Sequence, residues 1–452
     1  MNTGTYPPAG PPSPGSTRSG KPARRALGAW TGTLLIVASM IGTGVFTTTG
    51  LLLAEIHSVQ AVLVCWVVGG LLALTGALSY AELAAALPEN GGEFLFLSRI
   101  FHPAVGFVAG VVSLIVGFSA PIAASAIALS FYLERAFPGA PTAAVSGTLI
   151  IGLSLLHAWH VRVGGGFQVA VTSAKVLLII ALIVAGLWRG DAANLLASPA
   201  AGFTDELLSP SFAIGLVLVS FAYTGWNASV YIAGELERPR RNIPLSLAAG
   251  TLIVTMLYVG LNVVFVTAVP VGQLAGVVEI GHVAAAGLFG GTGARVLSAI
   301  ISLGLVSTIS AYIMSGPRVY EAMGETYPRL GFLAGRGRHA NRGPVAAIAL
   351  QAVIALAMLL TASFEALLTY IGFTLSLFAA LTVIGVIVLR VREPELERPY
   401  RVAGYPLTPL LFVALMLWMI WNAIALEPVV ALAGLVTLAC AGALYGWLGR
   451  RD

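Results

Sequence analysis

Ser39-Met40-Ile41-Gly42-Thr43-Gly44-Val45-Phe46 interrupts an apolar stretch of helix length near the start of this 452-residue chain. A second interruption, Phe221-Ala222-Tyr223-Thr224-Gly225-Trp226-Asn227, lies inside the apolar stretch from Pro210 to Glu235, and Ile41 and Tyr223 stand 182 positions apart (223 − 41). In hydrocarbon an unpaired backbone amide or carbonyl is costly, so a broken helix persists only where its freed groups face protein, solute or ion. Glycines in membrane helices also serve close packing, the reading given to Gly28-x-x-x-Gly32 and Gly106-x-x-x-Gly110. For two breaks in corresponding places, internal duplication with a binding site at the breaks is the better account.

Outside the breaks, the chain is 58% hydrophobic and only 10% charged, with a mean hydropathy of +0.92. This composition excludes a soluble multidomain enzyme and implies an all-α polytopic membrane protein. Apolar runs between polar or Pro/Gly-rich turns predict twelve helices, at roughly 27–53, 59–87, 94–133, 142–158, 165–188, 210–235, 244–269, 282–318, 344–362, 365–391, 406–425 and 428–449. The third and eighth exceed what a bilayer needs and are expected to tilt or extend beyond it. Residues 1–25, rich in Pro, Gly, Ser and Thr, read as a disordered tail. Arg24-Arg25 superficially suggests a twin-arginine export signal, but the next segment is too long for a signal core.

The 24 Lys and Arg are distributed unevenly. Arg135, Arg189 and Arg295 fall on one side and Lys175 within a helix; the other twenty fall on the side expected to hold both termini, which is therefore the cytoplasmic side of the cell membrane. This asymmetry accounts for the basic balance without nucleic acid. Cys65 and Cys440 sit in apolar spans and build no framework or metal cluster.

The half-helix that begins at the first break points free amides and a partial positive charge inward, which suits a carboxylate. Ile41, Gly42, Thr43 and Gly44 are the candidate residues there, with the Thr43 hydroxyl as an extra donor. The half-helix ending at Phe221, Ala222, Tyr223 and Thr224 leaves carbonyls that suit an ammonium group. Together they fit an α-amino acid zwitterion. Phe221, Tyr223 and Trp226 are candidate gate or pocket rings, with ordinary helix packing the alternative. No Asp or Glu lies in the middle of the first, third, sixth, eighth or tenth span, which favours a neutral substrate.

Lys175 is one of only two lysines beside 22 arginines. A cation at mid-membrane costs about 2.5–3.5 kcal/mol on insertion scales, so it is expected to face the bundle and meet carbonyls or hydroxyls. Ser307, Thr308 and Ser310 in the eighth span are candidate partners. Unlike Arg, a buried Lys can lose its proton, so it is a candidate for titration or for permanent replacement of a bound sodium ion. The alternative is a lysine that only ties helices together or snorkels toward an end. Glu235 is a candidate proton relay, expected to pair with Arg238, Arg240 or Arg241. His157-x-x-His160 makes a poor metal site and reads as interfacial, Gly290-Gly291-x-Gly293 is a loop cluster, and no P-loop, nucleophile elbow or HExxH is present. No catalysis, cofactor or metal is expected.

Five stretches resemble the amino acid–polyamine–organocation (APC) transporter superfamily, in particular its amino acid permeases and the light subunits of heteromeric amino acid exchangers. They are Ala38 to Phe46; Phe221 to Asn227 with Gly234-Glu235-Leu236-Glu237-Arg238-Pro239-x-Arg241-Asn242-Ile243-Pro244; Tyr80-Ala81-Glu82-Leu83 running to Gly91-Gly92-Glu93-Phe94; Pro317-Arg318-Val319-Tyr320-x-Ala322-Met323; and Arg398-Pro399-Tyr400-Arg401. The resemblance spans about residues 26–425. It implies a LeuT-like fold, with inverted repeats at 26–190 and 208–391 and two further helices at 403–449, and alternating access around a midplane site. It also implies that Lys175 is similar to the fifth-helix lysine that takes the place of sodium in sodium-independent members. Members with a heavy chain use a cysteine after the third helix; residues 134–142 contain none, so no disulfide-linked partner is expected and a monomer is. The expected function is sodium-independent transport of neutral L-amino acids by exchange or proton-coupled uptake. The alternatives are a polyamine or cationic amino acid transporter and a non-transporting membrane nutrient sensor.

Overall fold

A computed structural model describes residues 27–88, 91–159, 164–196, 203–334 and 344–448, with the main chain alone at 164–171 and 196. The tail at 1–25, His160 and most of the loop at 331–343 lie outside the described residues. The first apolar segment forms two helices, α1 (Ala29–Met40) and α2 (Gly44–Glu55), bent at 44° to each other. They are followed by α3 (Val59–Ala86), α4 (Gly92–Ile100), α5 (Pro103–Ala136), α6 (Thr142–Trp159) and α7 (Gly164–Arg189). Next come α8 (Pro210–Ala222), a 3-10 turn at Ala228–Glu235, α9 (Pro239–Ala268), α10 (Ile280–Ser315) and α11 (Pro317–Thr326). The chain closes with α12 (Val345–Thr361), α13 (Phe364–Arg392), α14 (Leu407–Leu426) and α15 (Pro428–Leu448).

The all-helical membrane class is as the composition implies. Nine helices among the described residues are long and apolar enough to cross a membrane, ten with α1 and α2 as one bent span; α8 and α12 are shorter apolar helices. The two overlong segments do not simply tilt or extend. His102 adopts an extended conformation and its Nδ1 accepts from the Ala104 amide at 3.1 Å, while Pro103 opens the next helix, so the third segment divides into α4 and α5. The eighth is interrupted at Gly290, at φ 74°, and Pro317 begins α11 after it. Close packing is the role of Gly32, Gly106 and Gly110, whose missing side chains leave room for Ser246, Ser98 and Met323; Gly28 faces open space.

The core forms where small and apolar residues let helices approach on all sides. α5 is the most enclosed span, with 72% of its apolar window inside the molecule, against 17% for α15, whose exposed Leu432, Leu435 and Val436 suit lipid. The most extensive helix contacts join α9 to α3 and α10 to α5. A buried carboxylate ties α13 to α3: the partly exposed Arg390 donates from Nε and Nη2 to Glu82 at 2.7 and 2.6 Å, and the Val402 amide donates to the same carboxylate at 2.7 Å. The Arg390 guanidinium lies 3.7 Å over the Tyr405 ring, and Arg398 stands 3.7 Å from Glu82. Two of the motif stretches, around Glu82 and Arg398, therefore meet at one charge cluster.

Candidate functional site

Both breaks unwind as the glycine pattern predicts, and the fold presses them together. α1 ends at Met40, Ile41 leaves the helix at ψ 84°, and the Gly42 amide folds back onto the Met40 carbonyl at 2.8 Å. α8 ends at Ala222, and the chain turns through Gly225 at φ 97°, a conformation open to glycine at little cost. A side chain added at Gly44 would sit 2.4 Å from Ala222 Cα, and one at Gly225 would sit 2.8 Å from the Ser39 carbonyl. Each break therefore has a glycine against the other's backbone.

The freed groups divide by polarity. At the start of α2 the amides of Thr43, Gly44 and Val45 meet no acceptor among the described residues, the arrangement of an open helix N-terminus. The Thr43 hydroxyl lies 3.3 Å from that of Ser125 on α5. In the second break Phe221 O is already engaged, accepting the Thr224 amide at 3.0 Å and its hydroxyl at 2.7 Å. The carbonyls of Ala222, Tyr223 and Thr224 receive no donor among the described residues.

The other end of the first break is closed by two side chains from elsewhere. Tyr258 on α9 donates to the Met40 carbonyl at 2.5 Å, and Lys175 Nζ on α7 donates to the Ile41 carbonyl at 3.2 Å. Lys175 Nζ also donates to Thr308 Oγ1 on α10 at 2.8 Å, and its stem runs along Gly304. A cation on the last carbonyls of a helix is favoured by the helix dipole as well as by the hydrogen bonds. Lys175 is buried, 8% exposed, and joins α7, the first break and α10. Of the three hydroxyl candidates, Thr308 meets the lysine by a direct hydrogen bond. Ser310 instead meets His157 Nε2 at 2.8 Å, and Ser307 is buried within α10. His157 is buried, two residues from the end of α6.

The aromatic candidates separate. Phe221 is buried beside the break. Tyr223 turns away: its hydroxyl donates to the Trp66 carbonyl at 3.0 Å and its ring packs 5.1 Å from that of Tyr258. Trp226 packs edge-on to Tyr80 at 4.7 Å. Glu235 stands at the end of the 3-10 turn, its carbonyl accepting the Leu27 amide at 3.2 Å. No ion pair among the described residues joins it to Arg238, Arg240 or Arg241; Arg240 pairs with Glu397 at 2.7 Å, beyond the end of α13. No group of His, Cys, Asp or Glu suited to a metal occurs among the described residues. Sequence reasoning missed Tyr258, Ser125 and Glu93, whose carboxylate accepts from Asn227 in the second break at 3.3 Å.

Comparison with known proteins agrees with this architecture. The family described as "Amino acid permease" matches residues 27–441. The serine/threonine exchanger SteT of Bacillus subtilis (strain 168) is 29% identical over 389 residues, covering 84% of this chain and 86% of that protein. Large neutral amino acids transporter small subunit 2 of Homo sapiens is 30% identical over 455 residues, covering 96% and 82%. The b(0,+)-type amino acid transporter 1 of Mus musculus is 27% identical over 432 residues, covering 90% and 84%.

Proposed function

Because this chain belongs to the amino acid permease family of the APC superfamily and is an amino acid transporter, we propose that it moves neutral L-amino acids without sodium, by exchange or proton-coupled uptake. The observation that carries this reading is the apposition of the two breaks. Free amides stand on one and free carbonyls on the other, with Gly44 against Ala222. An α-carboxylate meets the amides of Thr43, Gly44 and Val45, an α-ammonium meets the carbonyls of Ala222 to Thr224, and Phe221 covers the ligand. Neutral side chains are favoured because no Asp or Glu lies in the middle of the first, third, sixth, eighth or tenth span. Independence from sodium is supported by Lys175, which already donates to Ile41 O and Thr308 Oγ1, oxygens otherwise open to a cation.

The transport cycle is alternating access in a LeuT-like arrangement of two inverted repeats, at 26–190 and 208–391, with two helices after them. In support, α3 and α5 make their largest contacts with α9 and α10, their counterparts at the offset that separates the breaks. Both termini face the cytoplasm, on the charge asymmetry. The chain works without a disulfide-linked heavy chain, since residues 134–142 contain no cysteine, Cys65 is buried and Cys440, though exposed, lies within α15; a monomer is the proposed state. Proteoliposome uptake of labelled neutral amino acids, with and without a pH gradient or internal substrate, tests the reading on wild type and Lys175→Ala. Strict sodium dependence of the wild type would overturn it.

A further inference from the structure

Glu93 is a buried carboxylate held by neutral partners. It lies in the first turn of α4, outside the membrane-crossing helices, and is 8% exposed. Its Oε1 accepts from the Tyr80 hydroxyl of α3 at 2.5 Å and from Asn227 Nδ2 of the second break at 3.3 Å. Asn227 also reaches the Tyr231 hydroxyl at 3.5 Å, and a side chain at Gly92 would stand 2.4 Å from the Tyr231 ring. α4 is therefore seated directly on the second broken helix, one residue beyond Trp226.

The charges around it are committed elsewhere among the described residues. On α3, Glu82 is bound by Arg390 of α13. On α4, Arg99 pairs with Glu393 at 3.1 Å, and Arg392 of α13 donates to the Ile100 carbonyl at 2.9 Å. His102, at the start of α5, uses Nδ1 on the Ala104 amide, and Arg240 of α9 pairs with Glu397. Among the described residues, the titratable groups that interact with Glu93 are hydroxyls: Tyr80 and Tyr231, with Tyr320 of α11 beyond Tyr231. A buried carboxylate without a cation is electrostatically expensive. Burial holds the Glu93 carboxyl above the usual carboxylate range, although the bonds from Tyr80 and Asn227 pull the other way.

We propose that Glu93 is a proton-binding residue of the cytoplasmic gate, whose charged form holds Asn227 and the second break shut against α3 and α4 and whose protonated form releases them. In the charged form two donors converge on one carboxylate oxygen, and hydrogen bonds to an ionised acceptor are about twice as strong as neutral ones. A proton arriving from the cytoplasm forms an O–H bond on the carboxyl. That removes the charge, weakens both incoming bonds and leaves the new O–H in need of an acceptor. Asn227 lies three residues beyond Thr224, the last residue proposed to hold the substrate amine, so the loosened contact acts on the second break. The sign follows: a fall in cytoplasmic pH favours opening on that side. The consequence for flux rests on the transport reading above, whereas the protonation itself does not.

Two measurements on the full-length reconstituted protein separate these parts. Infrared titration of the wild type should show a protonated-carboxyl stretch that appears as pH falls, above the range of ordinary carboxylates, and that is missing in Glu93→Gln. Counterflow of a labelled neutral amino acid should accelerate several-fold in wild type as the pH at the cytoplasmic face falls. Glu93→Gln, which keeps an acceptor for Tyr80 and mimics the neutral form, should be fast and insensitive to pH. Asn227→Ala should lose the pH dependence of counterflow yet keep the infrared band. An unchanged band in Glu93→Gln overturns the proton site, and a pH response retained by Glu93→Gln or by Asn227→Ala overturns its role at the gate. If the wild type binds but moves nothing, the transport reading fails, while the infrared titration still decides whether Glu93 takes the proton.

Discussion

Gly44→Ala is the most direct perturbation of the paired breaks. The new methyl would lie 2.4 Å from Ala222 Cα and 2.5 Å from Ala222 Cβ, where ordinary contact begins at 3.4 Å. The shortfall of 1.0 Å (3.4 − 2.4) falls on backbone, which cannot rotate away as a side-chain tip would. Relief therefore requires the start of α2 and the end of α8 to move apart by about that distance. Overpacking of this kind costs about 1–3 kcal/mol. If the strain is expressed only in the substrate-bound arrangement, that corresponds to a loss of affinity of roughly 5- to 150-fold; if it is shared by all states, it appears as a lower melting temperature instead. Gly42→Ala is the control, since its methyl would meet Thr308 Cγ2 at an ordinary 3.4 Å. Equilibrium binding of a labelled neutral amino acid, with thermal melting of the same preparation, reads both outcomes. Wild-type affinity and melting in Gly44→Ala, or equal damage from Gly42→Ala, would refute the claim that the two breaks form one site by direct contact.

Lys175→Ala leaves the Ile41 carbonyl and Thr308 hydroxyl without their charged donor, each such bond being worth about 1.5–3 kcal/mol; exchange should fall at least several-fold while wild-type uptake is the same in sodium and in choline, as parallel flux assays would show. Thr43→Ala removes a hydroxyl whose partner Ser125 stands at a long 3.3 Å, so substrate affinity should weaken by only about 0.5–1.5 kcal/mol, read from competition binding; unchanged affinity would assign the carboxylate to backbone amides alone. Glu82→Gln removes the charge of a buried carboxylate paired with the partly exposed Arg390 and should destabilise the protein by about 1.5–3 kcal/mol, with a lower melting temperature partly restored by adding Arg390→Gln. An undiminished melting temperature in Glu82→Gln would show that the pair does not lock α13 to α3.

The membrane class, the two breaks and the isolated lysine were legible in the sequence because each is a local property. Apolar runs of bilayer length have few alternatives in a chain with 10% charged residues, glycines beside a polar residue lower the cost of leaving the helix, and a lone Lys175 between apolar neighbours must find oxygen. Segment length was a weaker guide: α4 separates from α5, and α11 from α10, at prolines whose effect on direction a count of apolar residues does not carry.

Which oxygens Lys175 finds was not local. Ile41 and Thr308 are 134 and 133 positions away, and the rotation of α10 gives Thr308 to the lysine but Ser310 to His157. The same geometry turns Tyr223 into the bundle toward Trp66, brings Tyr258 to close the end of α1, and sets Glu93 against Asn227. Sequence alone determined that two helices must open and that their opposite ends suit opposite charges, because backbone polarity follows chain direction. Tertiary structure decided which side chains meet those openings, because the facing of each helix is set by packing against helices more than a hundred residues away.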